Sequence, residues 1–503
     1  MRDWRETAYL SSREWRIVLT VATLLVIVRS AVFVFWPQSY FDSDQAVFGL
    51  MAKHLAEGRA FPVFMYGQTY ILAVEAWLAA PLFIIAGASA AALKLPLVII
   101  NIVAAILLIR IFSREVGLKP DLALLATIFF VLPAPGTAAK FVEASGGNVE
   151  PFLYIVLIWL TRNRPNWCGL ILGVGFLHRE FTIYGLVALL TIEAAHGVLF
   201  TREGIVRRLR MFRASAEVWL LVTWLKQYSS AAGPGTSLAD LYQAPSDNVR
   251  ELLNRVCIDP RTMVTGLWTG LSAHLPQLFG MSPRPLADYG IDSGVSQGLP
   301  WGFLLLTGIV LIPFVRIAMT IVGERRWRPE YDPCAYLVLV GLFSFGAYTL
   351  LRCGVIANMR YELLSVLGAT GLAAWYLRIE RTRAIATVWI ALMVAWAAGT
   401  TFGHGRLWAE YLTHPPAGVK RMVIRNLEAR GIHYAYSDYW LAYYISFLTR
   451  ERIIVHSTDL IRIAEYGRVV DEHRNEAVKI LRAPCADGHE VIKGVYFCPS
   501  EMK

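Results

Sequence analysis

The sequence predicts a polytopic α-helical membrane protein that ends in a small soluble α/β domain. Three observations predict it. Of 503 residues, 56% are hydrophobic and 17% charged, and the mean hydropathy is +0.47, a balance unlike that of a soluble domain. Apolar runs able to cross a bilayer core recur from Val18 to residue 402. Beyond residue 402 the composition turns polar. The formal net charge of +10 does not indicate nucleic acid. Lys and Arg sit in short clusters between apolar runs, as the positive-inside rule requires. The 16 Trp and 22 Tyr suit a protein with many interfacial anchors.

The first run, 16–36, is too long for a signal-peptide core and lacks a small-residue cleavage site, so it reads as a retained span. Further runs follow at 93–112, 121–137, 149–161, 167–179, 181–200, 214–228, 299–321, 334–351, 361–377 and 384–402. Two are short, and that at 214–228 carries Glu217 and Lys226. With the N-terminus inside and 70–87 lying in the membrane surface, every basic connection falls on the cytoplasmic side. These are Arg110 to Lys119, Arg162 with Arg164, Arg202 to Arg213, Arg325 to Arg328 and Arg378 to Arg383. The expected architecture is about eleven transmembrane helices in residues 1–402. Residues 37–92, 229–298 and 403–503 fall on the extracytoplasmic side.

The outer segment 37–92 carries surface elements. In Asp44 to Glu57, residues Ala46, Val47, Leu50, Met51 and Leu55 share one helical face, as in a helix lying along a membrane. Leu72 to Ile85 reads as a second interfacial or re-entrant element. The tail 403–503 alternates helix (Gly418–Arg430, Tyr439–Leu448) with strand (Ile432–Tyr436, Arg452–His456), the pattern of an α/β domain. Of six Cys, Cys485 and Cys498 lie in this tail and can pair if it is outside the reducing cytosol. Cys168, Cys334 and Cys353 read as packing residues.

Chemistry concentrates at three places. Asp42 and Asp44, just beyond the first span, are expensive beside lipid. Each can act as a base, help hold a cation, or simply cap the following helix. Arg360-Tyr361, with Arg352 before it, stands at the entrance of a late span, where guanidiniums match a lipid-linked phosphate or snorkel to headgroups. His178-Arg179-Glu180 offers metal ligands and a phosphate-binding cation, or only a solvated turn. Glu143, Asn148 and Glu150 are candidates of the same sort, Lys140 can equally meet headgroups, and Arg29 must face protein or reach the interface. There is no P-loop, HExxH or Gly-rich dinucleotide fingerprint, which points away from nucleotide sugars and toward lipid-carried substrates.

The layout and the stretch FDSDQAVFGLMAKHLAEGRAFPVFMYGQTYILAVEAWLAAPLF resemble the GT-C superfamily of membrane glycosyltransferases, the broad group of protein O-mannosyltransferases and lipid A aminoarabinose transferases. The tail segment Tyr436 to Tyr443 resembles bacterial members. The resemblance is sharp over about 45 residues and otherwise one of layout. It implies an inverting glycosyltransferase that moves sugar from a polyprenyl-phosphate donor to an envelope glycan, lipid or protein. Asp44 matches the family's outer-loop Asp, followed here by Gln45 where Glu is common, with Asp42 in support. Arg360, Tyr361, Arg352 and Arg179 would face the donor phosphate, although Glu362 departs from the usual Leu and Pro. His178, Glu180, Glu75 and Glu143 are supporting candidates. No cofactor or metal ligand set is assigned, and divalent-metal assistance stays open. Partners are the lipid donor, the acceptor and membrane lipid, without nucleic acid. The rival reading is a translocase of lipid-linked sugars, which would often show inverted repeats. Here the charges gather on one face.

Overall fold

A computed structural model describes residues 12–36, 40–68, 70–236, 258–281, 302–324, 328–350, 359–416, 418–485 and 487–500. Arg352, Cys353 and much of 229–298 lie outside these residues.

The helical part begins with α1 (Ser12–Phe35), α2 (Ser43–Ala56), α3 (Val74–Ala86), α4 (Ala90–Arg114), α5 (Pro120–Ala126), α6 (Ile128–Val131) and α7 (Pro135–Lys140). It continues with α8 (Glu150–Thr161), α9 (Pro165–His178), α10 (Ile183–Ala195), α11 (Arg202–Leu225), α12 (Pro260–Thr269) and α13 (Leu275–Leu278). Then come α14 (Gly302–Glu324), α15 (Asp332–Leu350), α16 (Ser365–Ile379) and α17 (Arg383–Thr413). Among the described residues, α1, α4, α14, α15 and α17 are the five helices long and apolar enough to cross a membrane. The helical part is that of a multi-pass membrane protein.

Several elements differ from the sequence expectation. The run 121–137 is not one helix but α5, α6 and the start of α7, and α6 stops where Pro133 and Pro135 remove donors and disfavour helix before them. The break leaves the Phe130 and Val131 carbonyls open. Buried Arg29 of α1 fills the gap, donating to Val131 O at 3.0 Å and to Asn101 Oδ1 at 2.7 Å. Arg29 therefore faces protein. The run at 214–228 starts earlier, as α11, and takes in the basic cluster from Arg202. Helix α9 can lie against it because Gly169 and Gly173 have no side chain. A Cβ on Gly169 would come within 2.1 Å of Met211 O.

The tail comprises α18 (Val419–Ala429), β1 (Tyr434–Ser437), α19 (Tyr439–Leu448), β2 (Ile454–Ser457), α20 (Ala464–Glu472), β3 (Val478–Leu481), β4 (His489–Ile492) and β5 (Val495–Pro499). The strand order is β2-β1-β3-β5-β4. The first three are parallel, as helical crossovers demand, and β5 runs antiparallel to both β3 and β4. Cys485 is disulfide-bonded to Cys498.

Helix α2 does not lie with one face in water. It is packed between α3 and α19, and Gly49 leaves room for Phe447, whose ring a Cβ would meet at 2.4 Å. The tail is latched to α2 by Glu451, whose backbone turns through positive φ together with Arg450. Its carboxylate accepts from Lys53 Nζ at 2.5 Å, Arg59 Nη1 at 2.8 Å and Tyr466 OH at 2.8 Å, and meets His54 Nε2 at 2.9 Å. Burial would raise this carboxyl, but His54 and Lys53 outweigh burial and hold it well below the usual carboxylate range.

Removing one partner of so enclosed a network is expected to be costly. Glu451→Ala should lower stability by about 3–5 kcal/mol and speed proteolysis at residues 414–418, read by thermal unfolding and limited digestion. Because the carboxyl is depressed in the folded state, its contribution is full above its ordinary value and is lost as pH falls below it.

Candidate active site

The site is built from the start of α2 outward. Asp42 is the N-cap, its Oδ1 accepting from Gln45 N at 3.0 Å. Burial, then Glu143 and Asp44, push its carboxyl up to about 6. Asp44, in the first turn, accepts a 2.5 Å bond from Tyr439 OH at Oδ1. Its Oδ2 has no hydrogen-bond partner among the described residues. Tyr439 is placed by the start of α19. Asp438 caps that helix through Trp440 N and Leu441 N, and Asp459 accepts from Tyr439 N at 2.8 Å. The Arg462 guanidinium lies 6.0 Å from the Tyr439 ring centre. Burial, followed by Asp44, raises the Tyr439 hydroxyl far above its usual range.

Behind Asp42, Lys94 of α4 is buried and donates to Tyr40 O at 2.6 Å and Phe33 O at 3.1 Å, tying the end of α1 to the approach to α2. Lys140 at the end of α7 pairs with Glu143 at 2.7 Å. Ser145 Oγ donates to Glu143 Oε1 at 2.9 Å.

The loop between α7 and α8 then turns through Gly146 and Gly147, with φ of +86° and +85°. Two successive residues in this region aim their N–H groups the same way and form a small anion nest. The anion is Glu75 of α3, whose Oε1 accepts from Gly146 N at 2.7 Å and Gly147 N at 2.8 Å. Its Oε2 meets His178 Nε2 at 3.1 Å, and His178 Nδ1 is 3.0 Å from Tyr154 OH.

The other side of the same loop takes the cations. Arg360 Nη2 donates to the carbonyls of Ser145 and, at 3.2 Å, of Gly146. Arg179 is buried beneath it, its guanidinium 4.9 Å from the Phe181 ring centre. Arg179 and Arg360 repel one another electrostatically, and the Arg179 to Glu180 contact is loose at 3.7 Å. Tyr361 stacks on Tyr348 with ring centres 5.1 Å apart.

The residues singled out in the sequence thus sort into two groups. Asp42, Asp44, Glu143, Lys140, Arg360 and Arg179 form one continuous chain of electrostatic neighbours, with Glu75 and His178 supporting the loop that links its halves. Glu180 stands apart, its side chain 43% exposed. Glu362, where the family pattern departs, is buried against His274 Nδ1 at 3.0 Å. Sequence reading gave Tyr439 no partner and passed over Lys94, Arg462 and Glu451. A lone Lys in an apolar run was the one available signal, for Lys94.

Compared with protein-family models and with curated proteins, the sequence finds no match. Solved structures do match. ArnT from Cupriavidus metallidurans bound to undecaprenyl phosphate aligns with a TM-score of 0.55 at 12% identity, over 97% of this chain and 98% of that one. The same protein in the apo state gives 0.54 at 12% identity, over 96% and 97%. The Archaeoglobus fulgidus oligosaccharyltransferase complex with Zn and sulfate gives 0.50 at 13% identity, over 92% of this chain and 68% of that one. The chain shares the fold of these structures.

The raised Asp42 carboxyl has a measurable consequence. The folded state holds its proton more tightly than the unfolded one, so stability should fall as pH rises from about 4 to about 6. Asp42→Asn should flatten that slope in thermal unfolding measured against pH.

Proposed function

We propose that the protein is a glycosyltransferase that takes sugar from a polyprenyl-phosphate donor and passes it to an envelope acceptor on the extracytoplasmic face. The observation that carries this reading is the joining, across one loop, of a positioned carboxylate and a pair of mutually repelling guanidiniums. Guanidiniums gathered at a membrane surface match a lipid phosphate in charge and in paired donors. The fold supports the same class of chemistry, and the ArnT structure holds undecaprenyl phosphate.

In this reading Arg360, Arg179 and Tyr361 face the donor phosphate, with Arg352 as a further candidate. The acceptor hydroxyl or amine lies against Asp44. Tyr439 orients the carboxylate through Oδ1, leaving Oδ2 to take the proton. The acceptor heteroatom bonds to the anomeric carbon from the face opposite the phosphate, and the bond from that carbon to the phosphate oxygen breaks with its electron pair. Configuration inverts, the proton passes to Asp44, and polyprenyl phosphate departs. The guanidiniums matter most where charge grows on the leaving phosphate. Asp42 and Glu143 support the carboxylate side, with Lys140 offsetting their charge.

The test is transfer from a panel of labelled polyprenyl-phosphate sugars by purified protein. Asp44→Asn is expected to lose about 10²–10⁴-fold in rate, and Arg360→Ala about 10²–10³-fold, with both chains still inserted and folded. Full turnover by Asp44→Asn would remove it from the mechanism. Binding of every donor with no turnover, together with flux across sealed vesicles, would favour a translocase.

A further inference from the structure

The geometry points to a divalent transition-metal site of the zinc type formed by Glu75, Glu150 and His178. Each offers one ligand atom, and these atoms lie within 4.8 Å of one another. They come from three elements, α3, α8 and α9, and all three residues are at most 1% exposed. Zinc bonds of about 2.0–2.2 Å in tetrahedral array put ligands roughly 3.4 Å apart, so the group needs to close by little more than 1 Å.

Three features separate this cluster from an ordinary ion pair. First, one imidazole is grouped with two buried carboxylates, and buried charge is costly unless it is compensated. Second, Glu150 is unfinished. Its Oε2 accepts only from Val149 N at 3.1 Å, and its Oε1 has no hydrogen-bond partner among the described residues. Third, the other two ligands are already oriented from behind. Tyr154 OH holds Nδ1 of His178, leaving Nε2 for a metal, and the Gly146 and Gly147 amides hold one oxygen of Glu75 and leave the other. Such outer partners are what a metal-binding imidazole and carboxylate require. One imidazole and two carboxylates suit zinc or manganese, and a water can fill the fourth position.

A cation here would bridge α3, α8 and α9 beneath the loop whose carbonyls accept from Arg360. Its role is to hold that loop, and the inference stands whether or not the protein transfers sugar.

The experiment is calorimetric titration of chelator-stripped, detergent-purified protein with Zn²⁺, checked by metal analysis after desalting and by thermal unfolding. One equivalent per chain and a raised midpoint are expected. Glu150→Gln should abolish the binding. Tyr154→Phe, which leaves all three ligands in place, should weaken it about 10–100-fold, so the inference stays testable if Glu150→Gln does not fold. No binding by the native chain would overturn it and leave a protonated Glu150 as the explanation of the cluster. Binding unchanged in Tyr154→Phe and in folded Glu150→Gln would overturn it equally. None of these readouts involves sugar transfer, so failure here is distinct from failure of the transferase reading.

Discussion

The structure depends on the docking of the tail onto α2. Glu451 gathers Lys53, His54, Arg59 and Tyr466 around one nearly buried carboxylate, and the stacked Phe41 and Phe447 rings lie beside it. Because α19 is held there, Tyr439 arrives at Asp44. Without this contact, Asp44 would be an exposed first-turn residue of a surface helix. With it, one carboxylate oxygen is fixed and the other is open.

A second constraint acts within the membrane part. The Gly146–Gly147 turn has its amides committed to Glu75 on one side, while the Ser145 and Gly146 carbonyls are committed to Arg360 on the other. One short loop thereby sets the position of a cation and of the carboxylate network through Glu143. Side chains at both glycines are excluded by the left-handed backbone and by contact. A Cβ on Gly146 would reach within 2.6 Å of Ile71, and one on Gly147 within 2.9 Å of Arg179.

Much of the fold was legible because membrane helices and tail strands announce themselves by period and composition. The helix Tyr439–Leu448 falls where the alternation of the tail puts it. The run 121–137 misled because hydropathy does not register a pair of prolines. For the candidate site, charged residues out of place in apolar surroundings drew attention to Asp42, Asp44, Arg179 and Arg360. Their partners did not stand out. Tyr439, Glu451 and Arg462 sit in a polar tail where such residues are ordinary, and what sets them apart is a contact across hundreds of residues. His178 was visible as part of a triplet, but its neighbours are Glu75 and Glu150 rather than the adjacent Glu180, since the helix end turns the imidazole inward.

The Asp44 to Tyr439 bond joins residues 395 apart in sequence. During synthesis, the first carboxylate is made long before the hydroxyl that orients it, and the intervening helices must be inserted before the two can meet. The site therefore stays incomplete until the last hundred or so residues have folded. A chain cut short anywhere before α19 would own most of the charged groups and still lack the hydroxyl that fixes Asp44.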